Sequence, residues 1–421
     1  MNTFAYHDGQ LYCEATPLRA IGDAVGTPTY VYSAGAILSA FEAYERALAA
    51  VTHLSCYAVK ANMNLAVLAL LAHAGAGADV VSGGELYRAL RAGFEPQRIV
   101  FAGVGKTREE IREGLKADIL FFNVESAAEL AAVDEVARAE GTRARIGIRV
   151  NPDIDPETHP YIATGLKTSK FGIPSREARE VYRRAAALPG IEIVGIHMHI
   201  GSQLTKVTPI ADSLARLAEL IEGLREDGIR LRYLNVGGGL GIRYREESPP
   251  SPGDYVRALK PLLERLGLTV LIEPGRSIVG NAGALLTRVV YRKATEGRRF
   301  VVVDAAMNDL IRPALYNAHH EIRPVAEPQE AATLEVVDVV GPVCESSDFL
   351  AKERPLPPVD EGALLAVLSA GAYGFAMASN YNARPRAAEV LVHGDRFEVV
   401  RRRESYEDMI AGESTWTGPL P

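Results

Sequence analysis

Cys56-Tyr57-Ala58-Val59-Lys60-Ala61-Asn62 reads as a short, β-rich strand that ends on a lysine, and a helix-forming run from Leu65 to Ala74 follows it. An amine at the carboxyl end of a buried strand is costly to desolvate, so a chain that keeps one there commonly needs it. Taken alone, Lys60 is more simply a strand-end lysine that snorkels to solvent. The rest of the chain reverses that reading.

Outward from this stretch, short apolar runs alternate with amphipathic helical patterns. The strands read as Leu54–Lys60, Ala78–Val81, Ile99–Ala102, Ile119–Val124, Arg145–Asn151, Ile193–Ile200, Leu234–Gly237 and Val270–Glu273. Helical patterns fall between them, among them Gly84–Ala92, Thr107–Lys116, Ser126–Ala139, Ser175–Ala187, Pro209–Glu226 and Gly253–Leu266. Strand–helix alternation implies parallel pairing through right-handed crossovers. Eight such strands are the count of a closed (β/α)8, TIM-type barrel. Asn151 to Pro174, rich in Pro, Asp, Thr and Gly, reads as a long loop at the carboxyl end of the barrel, where long loops carry function.

Beyond Asn281 the character changes. Leu285–Lys293, Arg299–Asp304, Thr333–Val340 and Leu364–Leu368 are β-branched and apolar, and Glu389–Val392 and Arg396–Arg401 flank a hairpin signal at His393-Gly394-Asp395. The expected organisation is an α/β barrel over residues 28–280 and a C-terminal all-β sandwich or barrel over 281–421. The polar lead-in, residues 1–27, is expected to join the β domain through a strand at Phe4–Tyr12 with its Asp8-Gly9 turn.

The 421 residues are 48% hydrophobic and 24% charged, which supplies a sizeable core for more than one domain. A net charge of −7 with no polybasic run argues against nucleic acid as a partner. Cys13, Cys56 and Cys344 are too sparse for a disulfide framework or a zinc knuckle and point to a reducing, cytoplasmic compartment. No signal peptide is evident. The uncharged stretches Ala61–Ala78 and Gly362–Ser379 carry Asn, His, Ser and Gly residues that make buried elements a better reading than membrane spans.

In a barrel of this kind catalytic groups sit at the carboxyl ends of the strands. Those ends carry Lys60, Asp79 and Ser82, Arg149 and Asn151, His197, His199 and Ser202, Gly237-Gly238-Gly239, and Glu273-Pro274-Gly275-Arg276. Glycine runs let backbone amides converge on an anion, although a tight turn explains this one equally well. With Glu273–Arg276 after the eighth strand, where such barrels often bind phosphate, the two together favour a phosphate-bearing ligand. The pair His197 and His199 invites a metal reading, as in zinc amidohydrolases of the same fold. That family carries its pair on the first strand, and no Asp or His set completes a site here; the expectation is no metal. A ring stacked on a flat cofactor suits at least one of the two histidines better. A lysine, a phosphate cradle, a carboxylate and a stacking ring are what pyridoxal phosphate (PLP) needs.

The ordered set of motifs resembles the PLP-dependent decarboxylases of the alanine-racemase-like barrel fold, most closely those acting on meso-2,6-diaminopimelate. The resembling stretches are Tyr57–Asn62, Thr164–Lys167, Lys170–Gly172, His197–Gln203, Gly237–Gly239, Glu273–Arg276, Arg312–Tyr316, Cys344–Asp348 and Gly371–Gly374. The likeness runs from about Pro28 to Arg386. It implies that Lys60 forms the Schiff base with PLP, that His199 stacks on the ring, and that Glu273 pairs with the pyridine nitrogen. Ser202, Gly237, Gly238, Gly239, Gly275, Arg276 and Tyr373 would hold the phosphate. Cys344 would be the acid that protonates the carbon after CO2 leaves. Arg276, Arg312, Tyr316, Glu345 and Tyr373 would bind the small-molecule substrate.

The resemblance also implies a homodimer in which the Cys344–Asp348 loop completes the partner's site, and the reaction that ends lysine biosynthesis. Two arginines and Glu345 suit a distal carboxylate and ammonium, which ornithine and arginine cannot offer together. Decarboxylases of ornithine, arginine or carboxynorspermidine are the same-class alternative. A non-catalytic PLP-binding relative is the other, and such relatives commonly lack the acid or the β domain.

Overall fold

The computed structural model describes residues 3–155, 164–165, 169–329 and 331–418. Leu166 and Lys167, part of one resembling stretch, lie outside them. The chain forms two units, Ala36–Gly280 and the combination of Met1–Gly35 with Asn281–Pro421.

The first unit is a closed eight-stranded parallel barrel. Its strands are His53–Ala58, Gly77–Val80, Ile99–Phe101, Phe121–Val124, Ala144–Asn151, Ile191–His197, Tyr233–Asn235 and Thr269–Ile272. Each pairs with the next, and Val270, Leu271 and Ile272 of the eighth pair with His53, Leu54 and Ser55 of the first, which closes the ring. The strands are nearly all buried because side chains fill the inside and helices cover the outside. Local sequence starts the helices: Ser82, Thr107, Ser126 and Ser251 each accept a hydrogen bond from a backbone amide of the first turn, at Glu85, Glu110, Glu129 and Asp254.

The barrel interior is graded along its axis. Leu54, Cys56, Val100, Phe121, Val194 and Leu271 form an apolar plug. Toward the carboxyl ends the buried residues turn polar: Asp79, Asn123, Arg149, His197, Asn235 and Glu273. The gradient makes one end a stable base and the other a place for chemistry.

Three strands stop two or more residues earlier than the sequence pattern predicts, the seventh at Asn235 where the pattern runs to Gly237. The first ends at Ala58, and Val59–Ala61 forms a 3-10 turn that carries Lys60. Tyr57 Oη donates to the Asn62 carbonyl (3.0 Å), and the Asn62 side chain accepts from the Asn64 amide (3.0 Å), so local hydrogen bonds replace the ladder. The sixth ends at His197, which leaves His199 in the following loop.

In the second unit Gly283–Thr295 is the hub, pairing with Arg298–Val303, Leu364–Val367 and Thr29–Ser33. Thr29–Ser33 also runs parallel to Ala388–His393. The barrel domain therefore does not begin at residue 28; the strand there belongs to the β unit, and the division falls after Gly35. Phe4–His7 and Gln10–Cys13 pair antiparallel, and the Leu11 amide donates to the Val325 carbonyl (2.7 Å). The lead-in also holds a helix, Leu18–Val25, whose Leu18 and Ile21 are buried. No described helix is long and apolar enough to cross a membrane.

Candidate active site

At the barrel mouth, Lys60 Nζ donates to Asp79 Oδ2 at 2.6 Å; the lysine side chain is 34% exposed and the aspartate side chain fully buried. Burial, with the charge of Glu273 behind it, pushes the Asp79 carboxyl up to about 6 against the pull of Lys60. Nearby, Glu85 accepts from the Val81 amide (2.8 Å), and burial pushes its carboxyl up to about 7.

The Glu85 shift has a measurable sign. Unfolded, the group ionises in the ordinary carboxylate range, near 4.5; folded, it holds its proton until about pH 7. The folded state therefore loses stability as pH rises through that window and keeps the deficit above it. Glu85→Gln, whose amide oxygen can still accept from Val81, is expected to be more stable than the natural chain at pH 8 by up to about 3 kcal/mol. The difference should vanish below about pH 4.5. Urea unfolding of the cofactor-free protein at both pH values measures it, and an equal or lower stability at pH 8 would contradict it.

Glu273 is buried and has two supports. Oε1 accepts from Asn235 Nδ2 at 2.7 Å, and Oε2 lies 3.3 Å from His197 Nε2. Burial alone would raise this carboxyl, but His197 and the charge of Lys60 outweigh it and hold Glu273 well below the usual range. The Asn235 side chain also accepts from the Gly237 amide (2.9 Å), and the Glu273 amide donates to the Gly237 carbonyl (2.9 Å). The carboxylate and the glycine turn are thus one hydrogen-bonded piece.

The two histidines divide. His197 faces Glu273. His199 Nδ1 accepts from the Gly238 amide at 3.2 Å, so that nitrogen is unprotonated. Desolvation, then the positive charges of Arg149 and Lys60, hold His199 well below the usual imidazole range, and it is neutral.

The glycines of the turn are required by close backbone packing. A Cβ at Gly237 would lie 2.4 Å from the Met198 carbonyl, at Gly238 2.0 Å from that of Glu273, and at Gly239 2.3 Å from that of Gly201. Gly275 precedes the short helix Arg276–Val279 and packs against Ala58 and Ala61, on either side of Lys60. Arg276, also buried, donates to Ser202 Oγ (3.0 Å) and to Tyr244 Oη (2.6 Å). Lys60, His199, Ser202, Gly237–Gly239, Glu273, Gly275 and Arg276 all lie at the carboxyl end of the barrel.

The remaining residues singled out in the sequence lie in the β unit. Arg312 opens a five-residue helix, Arg312–Tyr316, and is buried with Nη1 3.5 Å from His320 Nε2. His320 Nδ1 donates to the Leu368 carbonyl (2.9 Å), which leaves its Nε2 lone pair facing the guanidinium. Cys344 and Glu345 are exposed on a loop that buried Asp348 pins through the Met307 and Val343 amides (2.7 Å each). Asn382 Oδ1 accepts from the Cys344 amide (2.8 Å). Hydrogen bonds from Ser347 and Tyr381 hold the Glu345 carboxyl below its ordinary value. Tyr373 sits between Ala372 and Gly374 at φ +56°, a left-handed conformation that a tyrosine adopts only under local constraint.

Glu85, Glu125, Asn235 and Tyr244 were not singled out from sequence. Glu125 and Asn235 stand at strand ends, so the strand-end rule that found Lys60 also covers them.

The donor set at the barrel mouth fits PLP: an amine for the aldehyde, a buried ionised carboxylate for the pyridine nitrogen, and a neutral imidazole for the ring. Residues 34–280 match the model of the pyridoxal-dependent decarboxylase pyridoxal-binding domain. The chain is 55% identical over 414 residues to the diaminopimelate decarboxylase of Pseudomonas aeruginosa, covering 98% of this chain and 99% of that one. It superposes with a TM-score of 0.90 and 46% identity on the Helicobacter pylori diaminopimelate decarboxylase solved with L-lysine, covering 94% and 98% of the two chains. The M. jannaschii enzyme in complex with L-lysine gives a TM-score of 0.93 and 38% identity over 98% of each chain. With this barrel, this donor set and that similarity over nearly its full length, the chain belongs to the diaminopimelate decarboxylases, PLP-dependent carboxy-lyases.

Proposed function

We propose that this chain converts meso-2,6-diaminopimelate to L-lysine and CO2, with Lys60, Glu273 and His199 holding and tuning PLP and Cys344 of the partner subunit delivering a proton. When bound, the cofactor supplies an aldehyde for the substrate amine and a ring that accepts the electron pair released as the carboxylate departs.

The chain's own groups do the rest. Lys60 Nζ must lose a proton to act as a nucleophile, and Asp79 Oδ2, 2.6 Å away with its carboxyl at about 6, is placed to take it. Glu273, held ionised, would pair with the ring nitrogen of the bound cofactor and favour a proton there. His199, neutral and planar, offers a face to the ring without adding a charge that would oppose that proton. Ser202, the Gly237–Gly239 turn, Gly275, Arg276 and Tyr373 are assigned to the phosphate. For the substrate's distal end, Arg276 and Arg312 suit the carboxylate, Glu345 the ammonium, and Tyr316 and Tyr373 the chain between.

The observation that carries this reading is the geometry of two buried acids at the barrel mouth: Asp79 Oδ2 lies 2.6 Å from Lys60 Nζ, while Glu273 is held between Asn235 Nδ2 at 2.7 Å and His197 Nε2 at 3.3 Å. The first is placed to exchange a proton with the amine and the second to stand as a counter-charge. Exposure of Cys344 and Glu345 on a pinned loop supports their use in another subunit's site. We further assign the protein to the cytoplasm as a homodimer with shared sites and no nucleic-acid partner, consistent with three free cysteines and a net charge of −7.

The test is CO2 release by the purified, PLP-loaded protein. Diaminopimelate is expected to exceed ornithine, arginine and carboxynorspermidine in kcat/KM by roughly 100-fold or more, because each lacks a group the site is built to pair. Turnover of one of these three with none of diaminopimelate would overturn the assignment.

A further inference from the structure

Glu125, at the end of the fourth barrel strand, is only 4% exposed. Its carboxylate ties two loops of the barrel mouth to the fifth strand. Oε1 accepts from the Gly103 amide at 2.9 Å and from Arg149 Nη1 at 3.0 Å. Oε2 accepts from Arg149 Nη1 at 3.1 Å and from the Gly172 amide at 3.1 Å. These partners follow the third strand, lie on the fifth, and close the long loop that returns at Ile173.

Arg149 carries the arrangement to His199. Its guanidinium stacks over the Phe171 ring at 4.6 Å, and Nη2 makes a long contact of 3.4 Å with the His199 carbonyl. Thr164 Oγ1 donates to the same carbonyl at 3.0 Å, and the Thr164 and Gly165 amides donate to Ile200 (2.9 Å each). The His199 backbone is therefore held from the side of Glu125 and Arg149, while its ring is held by Gly238.

We infer that Glu125 is a positioning residue for the cofactor: acting through Arg149 and the loop ends, it fixes the backbone of His199 and so the plane that the imidazole presents. A buried ion pair is weak evidence of stability, since well-packed apolar residues often replace one without loss. What such a pair does well is fix register, and a carboxylate that accepts four hydrogen bonds and links two loops to a strand is suited to that. Glu125 acts at a distance from the reacting atoms, which is why a motif search passes over it. The inference rests on the proposed contact between His199 and the PLP ring.

The experiment compares Glu125→Gln, Thr164→Val, His199→Gln and Asp134→Asn as reconstituted holoenzymes. The readouts are the Kd for PLP and the induced circular dichroism of the saturated cofactor, which reports ring seating. Asp134 is a matched control: it is equally buried, it stabilises loop residue Gly190 (2.8 Å to its amide), and it pairs with Arg138 away from His199. Glu125→Gln is expected to raise the Kd about tenfold and to halve the dichroism or more, because one of its acceptors becomes a donor and Arg149 loses its counter-charge. Thr164→Val should give about a threefold change in Kd in the same direction. Asp134→Asn should leave both readouts as they are.

If His199→Gln alters both readouts and Glu125→Gln neither, the inference is wrong and the reading of His199 stands. If His199→Gln also changes nothing, the reading of His199 fails first. Should Glu125→Gln not fold, Thr164→Val decides, and unchanged Kd and dichroism in that variant overturn the inference.

Discussion

Replacing Lys60 with alanine is expected to lower kcat by roughly 10^4-fold or more, with the fold intact. The size follows from what the amine does. A lysine that bonds the cofactor covalently both holds it and presents it already activated to the incoming amine, so its loss removes a whole step from the path. The fold should survive because the partner left behind can adapt. Asp79 is buried, and without Lys60 its carboxyl, already up at about 6, would rise further and take a proton instead of remaining an unpaired charge. Two measurements separate this from a general defect. Borohydride treatment of the natural holoenzyme should leave cofactor bound to the Lys60 peptide after denaturation, and the alanine variant should retain none. The variant should also regain part of its turnover with a small exogenous primary amine. Near-natural activity in Lys60→Ala would remove Lys60 from the mechanism.

The barrel was legible because its signals are local. Parallel strands buried on both faces read as short apolar runs, and Ser or Thr before a helical pattern marks several helix starts, as Thr107 and Ser126 do. What stayed hidden depends on closure. Asn235 meets Glu273 across 38 residues and Arg149 meets Glu125 across 24, so neither pair has a spacing to recognise until the strands lie side by side. Thr29–Ser33 pairs with strands more than two hundred residues later, and nothing near it says so. Phe349–Leu356 escaped notice for another reason. It is an edge strand, carries Lys352-Glu353-Arg354 in its middle, and shifts register against its neighbour, which breaks the alternation that identifies a half-buried strand. The turn under Lys60 was missed at finer scale. The run to Lys60 looks continuous in sequence, but the hydrogen bonds from Tyr57 and through Asn62 end the strand two residues early. That early stop lifts the amine out of the sheet and toward Asp79.

Cys344→Ala is expected to lower kcat by roughly 10^2- to 10^4-fold while changing KM for diaminopimelate little, the range for loss of a general acid. The thiol is exposed, and its loop is set by Asp348 and by Asn382 rather than by the cysteine itself, so truncating one sulfur should leave the loop in place. The location of the acid can be tested apart from its chemistry. Chains carrying Lys60→Ala and chains carrying Cys344→Ala would each be nearly inactive alone. If each site draws its lysine from one subunit and its cysteine from the other, random mixing makes half the dimers hybrids, and one of the two sites in each hybrid has both natural residues. Activity should then return to about a quarter of the natural level. A mixture no better than its parents, with hybrids present by mass, means that each site uses the cysteine of its own chain and that the shared arrangement is wrong. An active Cys344→Ala chain by itself would remove the thiol as the acid, wherever it sits. The two failures are distinguishable because one is read on a single variant and the other only on the mixture, so the identity of the proton donor and the subunit that supplies it can be settled separately.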